Sequence, residues 1–311
     1  MSAVKKMAKD IIRKSLEPAC EKVCDIMKFA PPGHFYSPVP GLEDFNMVHR
    51  HQDLEAATNS QHGIDFNTDF QLKLLQEISA YYDKVPDFPV EKNQSYRFYY
   101  DNDYYSYPDT TVMTCLMQHL RPKKIVDVGG GNTTTLMLDI NQHLLTDAPM
   151  EITLIEPHPE RIEEMMAGES SVKRINSKVQ DCDLEVFRQL RAGDIVFLDT
   201  THVSKMGSDV NYFAFNVFPV LQPGVIIHIH EMFYPFEYPK EFFSVGKAWN
   251  EIYFWRAFLT HNRAYEILLH NSFLAKKYPN KLRELLPNYF KTGRKEINVQ
   301  NEGSSLWLRK R

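Results

Sequence analysis

The fold of this chain is decided by one stretch, Ile125-Val126-Asp127-Val128-Gly129-Gly130-Gly131-Asn132-Thr133-Thr134-Thr135. Its first part belongs to an apolar run, 124–128, which is typical of a short buried strand. The glycines that follow lack Cβ atoms, so a ligand can approach the backbone closely. Since 133–145 has a helical pattern, the stretch predicts a strand, a glycine turn and a helix. In open α/β sheets such turns lie at the carboxyl ends of strands, where ligands bind.

Apolar runs and helical segments alternate on both sides of this turn. The predicted strands are 124–128, 151–155, 172–179, 194–198, 224–230, 265–273 and 305–308. The predicted helices include 69–82, 133–145, 160–166, 184–190 and 240–261. A further predicted helix begins at an Asp109 or Thr110 cap and ends at Leu120, and another begins at a Ser208 cap and ends at Leu221. This alternation predicts an α/β fold, a Rossmann-like sheet of seven mostly parallel strands with helices on both faces.

The residues before this sheet have a different character. Residues 4–28 have the spacing of an amphipathic helix with a basic first half. Such a helix docks on its own protein or on a partner subunit, or lies on a membrane surface. The segment 30–40 is proline-rich and extended, and it carries Phe35 and Tyr36. We predict a helical and extended N-terminal cap over 1–95, a catalytic domain over 96–311, and a homo-oligomer contact through the first helix.

Composition excludes several classes of protein. The 311 residues carry 36 Lys and Arg against 40 Asp and Glu, a net charge of −4, so the chain has no overall attraction to nucleic acid. No apolar run approaches the length of a membrane span, and we see no secretory signal. The four cysteines, Cys20, Cys24, Cys115 and Cys182, form no CxxC pair, which favours a reduced, cytoplasmic compartment. A metal or redox role for Cys20 and Cys24 stays open beside simple burial.

Acidic residues follow the predicted strands and indicate a cofactor. Glu156 ends the second strand, where a carboxylate suits two ribose hydroxyls, and Asp181 follows the third, where it suits an adenine amino group. A dinucleotide fingerprint needs a glycine where Thr134 stands, and Asp127 would repel a pyrophosphate. S-adenosylmethionine (SAM) carries a sulfonium and an ammonium, so these acids favour it. A nicotinamide cofactor and a turn without ligand remain the alternatives.

The order of these motifs resembles that of class I SAM-dependent methyltransferases over about residues 96–311. The motifs that carry the resemblance are Asp127-Val128-Gly129-Gly130-Gly131, Glu156-Pro157-His158, Asp181 and Asp199. The fourth strand ends in D-x-x-H, here Asp199 to His202, and so resembles the branch of macrocin-type sugar O-methyltransferases. The stretches Gly33 to Pro38, 202–211 and 233–239 resemble a subgroup for which no substrate is implied. We assign cofactor binding to Asp127, Gly129, Gly131, Thr133, Glu156, Asp181, Asp199 and Tyr107.

The reacting end follows the fourth strand. Methyl transfer to a hydroxyl or amine requires removal of a proton, and His202 is our predicted base, since a neutral imidazole accepts a proton near pH 7. Lys205, in the same loop, is a second candidate catalytic residue. The alternatives are a histidine that fixes the loop by hydrogen bonds and an ion pair between Lys205 and Asp209.

The fifth strand ends in His228-Ile229-His230-Glu231, where the related branch commonly has His-Asp. Asp199, His230 and Glu231 therefore form a candidate divalent metal site. Carboxylates favour Mg²⁺, and an added imidazole favours Mn²⁺, Fe²⁺ or Zn²⁺. Hydrogen bonding of SAM, substrate or loop without a metal is the alternative.

Aromatic residues make up 13% of the chain and concentrate in three segments. The side chains expected to cover the acceptor, unless they form a purely structural cluster, are Phe35, Tyr36, Tyr99, Tyr100, Tyr104, Tyr105, Tyr107, Tyr234 and Tyr238, with Glu237 beside them. We predict methyl transfer from SAM to an oxygen or nitrogen of a small-molecule acceptor, and the sequence does not identify that acceptor. The alternatives are a metal-dependent enzyme that uses SAM or a nucleoside for other chemistry, and a non-catalytic SAM-binding scaffold subunit.

Overall fold

The computed structural model describes residues 30, 33–44, 46–48, 63–102, 104–158, 160–166, 168–291 and 302–311. The chain divides into two compact units, Met1–Thr58 and Asn59–Arg311. In the first unit Phe35 and Tyr36 are exposed. The predicted helix 4–28, with Cys20 and Cys24, lies outside the described residues. The unit that holds the sheet begins at Asn59, and the division into a cap over 1–95 and a catalytic domain stays a prediction.

The second unit is built on a seven-stranded sheet, which confirms the predicted fold class. Its strands are β1 (Lys124–Val128), β2 (Glu151–Ile155), β3 (Lys173–Ile175), β4 (Ile195–Leu198), β5 (Ile226–Ile229), β6 (Tyr265–His270) and β7 (Leu306–Lys310). The strand order is β3-β2-β1-β4-β5-β7-β6. Strands β1 to β5 pair in parallel, and β7 runs antiparallel to both β5 and β6. All residues of β4 and β5 are buried, as expected for strands covered on both faces.

Helices connect and cover these strands. They are α1 (Thr68–Ser79), α2 (Tyr107–Leu120), α3 (Asn132–His143), α4 (Glu160–Glu163), α5 (Glu185–Arg188), α6 (Asp209–Tyr212), α7 (Phe218–Val220), α8 (Lys240–Ser244), α9 (Glu251–Leu259), α10 (Asn271–Lys277) and α11 (Pro279–Leu285). A π-helical turn, Phe213–Val217, joins α6 to α7. The Ser208 side chain accepts a hydrogen bond from the backbone N–H of Asn211, which confirms the predicted N-cap.

Several predicted elements differ in extent from the observed ones, and three of the differences have a local explanation. The third strand ends at Ile175, and a 3₁₀ turn, Val179–Asp181, follows it. The predicted helix 240–261 is two helices, because Gly246 adopts a left-handed backbone with φ of 80° between them. Helix α2 begins at Tyr107 rather than after an Asp109 or Thr110 cap, since Pro108 fits the first helical turn.

Asp109 fastens the start of α2 to the far end of the chain. Its carboxylate is buried and accepts hydrogen bonds from the Asn271 side chain at 2.7 Å and from the backbone N–H groups of Ser304 and Ser305, each at 3.0 Å. One carboxylate therefore satisfies donors from α10 and from the residues that enter β7. This matters because buried donors without acceptors are costly.

In the described part of the chain, no helix combines the length and the apolar character needed to cross a membrane. Cys115 and Cys182 are free thiols. Burial raises the pKa of the Cys115 thiol to about 12, so this side chain is an inert part of the core.

Substitution Asp109→Ala should destabilise the protein strongly, because three buried donors lose their acceptor. We expect the free energy of unfolding in urea to fall by about 3–5 kcal/mol, at about 1–3 kcal/mol for each unsatisfied group. The matched control is Asp147→Ala, which removes an exposed ion pair with Arg121 and should cost less than about 1 kcal/mol. Equal losses in the two variants would contradict this role of Asp109.

Candidate active site

A cleft of about 360 Å³ opens at the carboxyl ends of β1, β2 and β4. Four of the predicted site residues line it: Gly129, Glu156, Asp199 and Lys205. The remaining wall comes largely from the stretches 155–158, 178–180, 199–201 and 207–209. The position agrees with the rule that ligands bind where the strand order reverses, here between β1 and β4.

The glycine turn brings two strand ends unusually close together. Gly129 has a left-handed backbone with φ of 84°, and a Cβ atom there would overlap the backbone carbonyl of Asp199. A Cβ atom on Gly130 would lie 2.6 Å from the Asp127 carboxylate. Both positions therefore require glycine, whereas Gly131 is extended, with φ of 171°.

Asp127 lies completely buried beneath this turn. The Thr134 hydroxyl donates to its Oδ2 at 2.5 Å and accepts from the backbone N–H of Gly131 at 3.2 Å. The other carboxylate oxygen, Oδ1, is buried and has no hydrogen-bond partner among the described residues. Burial raises the pKa of Asp127 to about 7, against the Thr134 hydrogen bond and with added repulsion from Asp199 and Glu156. A cation in the cleft would stabilise the ionised form.

Of the two acidic residues predicted to bind the cofactor after β2 and β3, Glu156 lines the cleft and Asp181 does not. Glu156 is buried, lines the cleft, and accepts a hydrogen bond from the backbone N–H of His158 at 2.8 Å. Asp181 is exposed and is not among the residues that line the cleft. Gln180 lies in the wall instead, and its side chain donates to the Gly207 carbonyl at 2.9 Å. In the 3₁₀ turn after β3, Gln180 therefore lies in the cleft wall in place of the predicted Asp181.

Four other predicted cofactor residues are not among those that line the cleft: Asp127, Gly131, Thr133 and Tyr107. Tyr107 stacks on Tyr100 with ring centroids 3.6 Å apart. Thr133 is buried in the first turn of α3. Neither side chain lines the cleft, so both assignments stay predictions.

His202 lies between two carboxylates at the edge of the cleft. Its Nε2 is 3.4 Å from Asp199 Oδ1, and its Nδ1 is 2.8 Å from Glu251 Oε2. Burial alone would lower the pKa of the imidazole, but the hydrogen bonds to Asp199 and Glu251 raise it to about 10. The ring is therefore protonated near pH 7, and His202 by itself does not fit the predicted role of a neutral base. We call Asp199, His202 and Glu251 the triad.

Glu251 is the residue that sequence reasoning missed. It begins α9 and is buried, and its Oε1 accepts a hydrogen bond from the Trp255 indole at 2.7 Å. The backbone N–H groups of Asn250 and Glu251 donate to the His202 carbonyl at 3.2 and 3.1 Å. These bonds hold His202 with φ of 57°, a left-handed backbone that is uncommon for residues other than glycine. The only local signal was an acidic residue in the first turn of a helix.

The predicted metal ligands do not come together. His230 Nε2 lies 3.2 Å from the Tyr104 carbonyl and 3.4 Å from the Ser304 hydroxyl. Glu231 is buried separately, with its Oε2 lacking a hydrogen-bond partner in the part of the chain that the structure describes. No group of three His, Cys, Asp or Glu side chains within the described ranges is arranged to hold a metal ion. Strand β5 ends at Ile229, and Glu231 has a left-handed backbone with φ of 57°, so the chain turns sharply directly after His230.

Several of the aromatic and charged residues have other roles than those predicted. Tyr105 and Tyr234 are fully buried core side chains, whereas Tyr104 is exposed. Asp209 accepts hydrogen bonds from the Thr201 backbone and hydroxyl, at 3.0 and 2.6 Å, in place of the alternative ion pair with Lys205. Those bonds fix the loop that carries Asp199 and His202.

Asp127→Asn should stabilise the unliganded protein increasingly as pH rises. The folded-state pKa of about 7 exceeds the ordinary value of 3.8, so the stability contributed by this group is lost as pH rises through about 7. Asparagine keeps the acceptor for Thr134 but carries no charge. We expect a gain in free energy of unfolding at pH 8 of up to about 4 kcal/mol, with little gain at pH 4. An equal change in urea unfolding at both pH values would contradict a buried charge here.

Comparisons with known proteins agree with the site. Residues 126–232 match the family model described as a methyltransferase domain. An uncharacterized protein of Archaeoglobus fulgidus is 32% identical over 169 residues, which cover 53% of this chain and 76% of that protein.

Solved structures of methyltransferases are similar at a greater distance. The Podospora anserina methyltransferase PaMTH1, bound to S-adenosylhomocysteine (SAH), has 13% identity and a TM-score of 0.40. The similarity covers 89% of this chain and 100% of that chain. The plantazolicin methyltransferase BpumL, in complex with a monoazolic desmethylPZN analog and SAH, has 13% identity and a TM-score of 0.39, with coverage of 85% and 99%. Both TM-scores lie below 0.5.

The remaining observations converge. The strand order, the glycine turn over a buried acid, the acid that ends β2 and the matched family model occupy the same part of the chain. The chain therefore carries a methyltransferase domain, built on the Rossmann-like sheet of class I SAM-dependent methyltransferases.

Proposed function

We propose that this protein transfers a methyl group from SAM to an oxygen or nitrogen of a small-molecule acceptor. The observation that carries the proposal is the position of the triad. Asp199 belongs both to the cleft wall and to the triad, and a Cβ on Gly129 would overlap its backbone carbonyl. A cofactor in the cleft and a proton-handling group are therefore neighbours.

The cleft suits SAM in its chemistry. Asp127 is a buried acid with one oxygen lacking a hydrogen-bond partner among the described residues, and Glu156 adds a second acid at the end of β2. Asp127 and Glu156 would hold the cofactor, with Gly129 leaving room for it. When bound, SAM supplies a methyl group on a positively charged sulfur. Asp181 and Tyr107 have no role in this proposal.

The triad can take up the proton that the acceptor loses. It consists of two carboxylates and one imidazolium, a net charge of −1, so it retains capacity for a further proton although the ring is already protonated. We assign proton uptake to the triad as a unit in place of His202 alone. Lys205 lines the cleft and is placed to contact an anionic group of cofactor or acceptor.

The other predicted features have less support. A metal has no part in the proposal, because His230 and Glu231 have separate surroundings. Homo-oligomer formation through the first helix and a cytoplasmic location stay predictions. No specific observation favours a scaffold subunit or chemistry other than methyl transfer.

Release of S-adenosylhomocysteine (SAH) from SAM, with a small-molecule extract as the source of acceptor, tests the proposal. Wild-type protein should release SAH above the rate without extract. His202→Ala should lower kcat by about 10² or more, the usual contribution of a positioned proton-transfer group. SAM affinity should stay within about twofold, since His202 acts beyond the cofactor.

Glu251→Gln gives the sharper comparison. The amide keeps the size of the side chain but removes one charge of the triad, so kcat should fall about tenfold or more, with SAM binding unchanged. Glu185→Gln, on the exposed helix α5, is the matched control and should behave as wild type. A Glu251→Gln variant with wild-type kcat would contradict proton uptake by the triad.

A further inference from the structure

An ammonium group occupies an aromatic corner beside the triad. The Nζ atom of Lys247 lies 4.1 Å from the ring centroid of Phe242 and 4.2 Å from that of Trp249. These two rings are nearly perpendicular, at 86°, with centroids 5.3 Å apart. Tyr238 packs against both of them, at 5.9 and 6.1 Å. Converging aromatic faces are the arrangement by which proteins bind ammonium ligands. We call Tyr238, Phe242 and Trp249 the aromatic corner.

The aromatic corner borders the reacting end of the site. The Trp249 and His202 rings lie with centroids 4.3 Å apart. The Tyr238 hydroxyl accepts a hydrogen bond at 3.3 Å from the backbone N–H of Ile252, directly after Glu251. A group bound in the corner would therefore lie next to the triad.

The charges around the corner call for a cation. Two carboxylates, those of Asp199 and Glu251, pair with the imidazole of His202, and the carboxylate of Glu231 adds further negative charge nearby. Glu231 is only 6% exposed, and its Oε2 has no hydrogen-bond partner among the residues that the structure describes. Burial raises the pKa of Glu231, and the positive charges of His202 and Lys247 are among the neighbours that oppose that rise. A buried carboxylate without a partner gains most from a positive ligand.

Lys247 is well suited to leave the corner. Its side chain is exposed, and it belongs to the connection between α8 and α9. The preceding residue, Gly246, has a left-handed backbone with open space around it. The lysine side chain thus extends from a connecting loop. The walls of the site differ, because Phe242 belongs to the hydrophobic core and Trp249 packs against it.

We propose that the aromatic corner binds an ammonium group of the acceptor, with the Lys247 side chain as its occupant when no acceptor is present. The identification of the bound molecule as the methyl acceptor rests on the proposed function, whereas the ammonium site itself does not depend on it. It narrows the substrate to small molecules that carry an amine or quaternary ammonium close to the atom that is methylated. Acceptors that carry only anionic groups would be repelled by the three carboxylates.

Choline and its uncharged isostere 3,3-dimethyl-1-butanol are the probes for this site. Tryptophan fluorescence, with calorimetry as a second readout, should show that Lys247→Ala binds choline about tenfold more tightly than wild type, because the internal competitor is gone. Lys247→Met, which keeps the length of the side chain, should bind choline weakly. Lys240→Ala removes another exposed lysine nearby and should match wild type. The uncharged isostere should bind none of these proteins measurably.

Trp249→Leu in the Lys247→Ala background should abolish choline binding, and Phe242→Leu provides a second wall variant if Trp249→Leu melts early. Equal binding of choline and its isostere, or no gain from Lys247→Ala, would overturn the ammonium site. SAM calorimetry on the same preparations separates the two proposals. Binding of choline without SAM would refute the proposed function alone, and binding of SAM without choline would refute this inference alone.

Discussion

The close approach of the Gly129 backbone to the Asp199 carbonyl is the constraint on which the site depends. It holds the ends of β1 and β4 together so tightly that no side chain fits between them. Asp199 is thereby fixed in the cleft wall, and His202 follows three residues later. The same turn covers Asp127 and removes its carboxylate from water. One backbone contact thus sets the positions of both charged groups that the chemistry needs.

Each end of the site contains a buried carboxylate. Beneath the glycine turn Asp127 has one buried carboxylate oxygen with no hydrogen-bond partner among the described residues, and the same holds for Glu231 beside the triad. Burying such groups costs free energy unless a positive charge compensates. A sulfonium cofactor would compensate the first, and an ammonium-bearing acceptor the second. The proposed cofactor and acceptor would therefore each bring a positive charge to the site and relieve the repulsion among its carboxylates.

Local patterns predicted the sheet well, and contacts between distant residues account for the failures. Strands β1 and β2 agree with prediction at both ends, because short apolar runs bounded by turn residues are local signals. Glu251 is 49 residues from His202, and no spacing rule brings them together. The pKa of His202 could not be predicted from spacing for the same reason, since it is set by carboxylates from two elements, and the role of His202 as a base stays a prediction. The predicted metal site has no support among the described residues, where no three ligands are arranged to hold an ion.

Calorimetric titration of the full chain with SAM, and in parallel with NADH, tests the central claim most directly. A cleft lined by Glu156, with Asp127 buried beneath the neighbouring glycine turn, should bind the cationic cofactor at one site per chain, with a measurable heat of binding. It should not bind the anionic dinucleotide, whose pyrophosphate meets those carboxylates. Binding of NADH without binding of SAM would contradict the assignment of this cleft to a methyl donor.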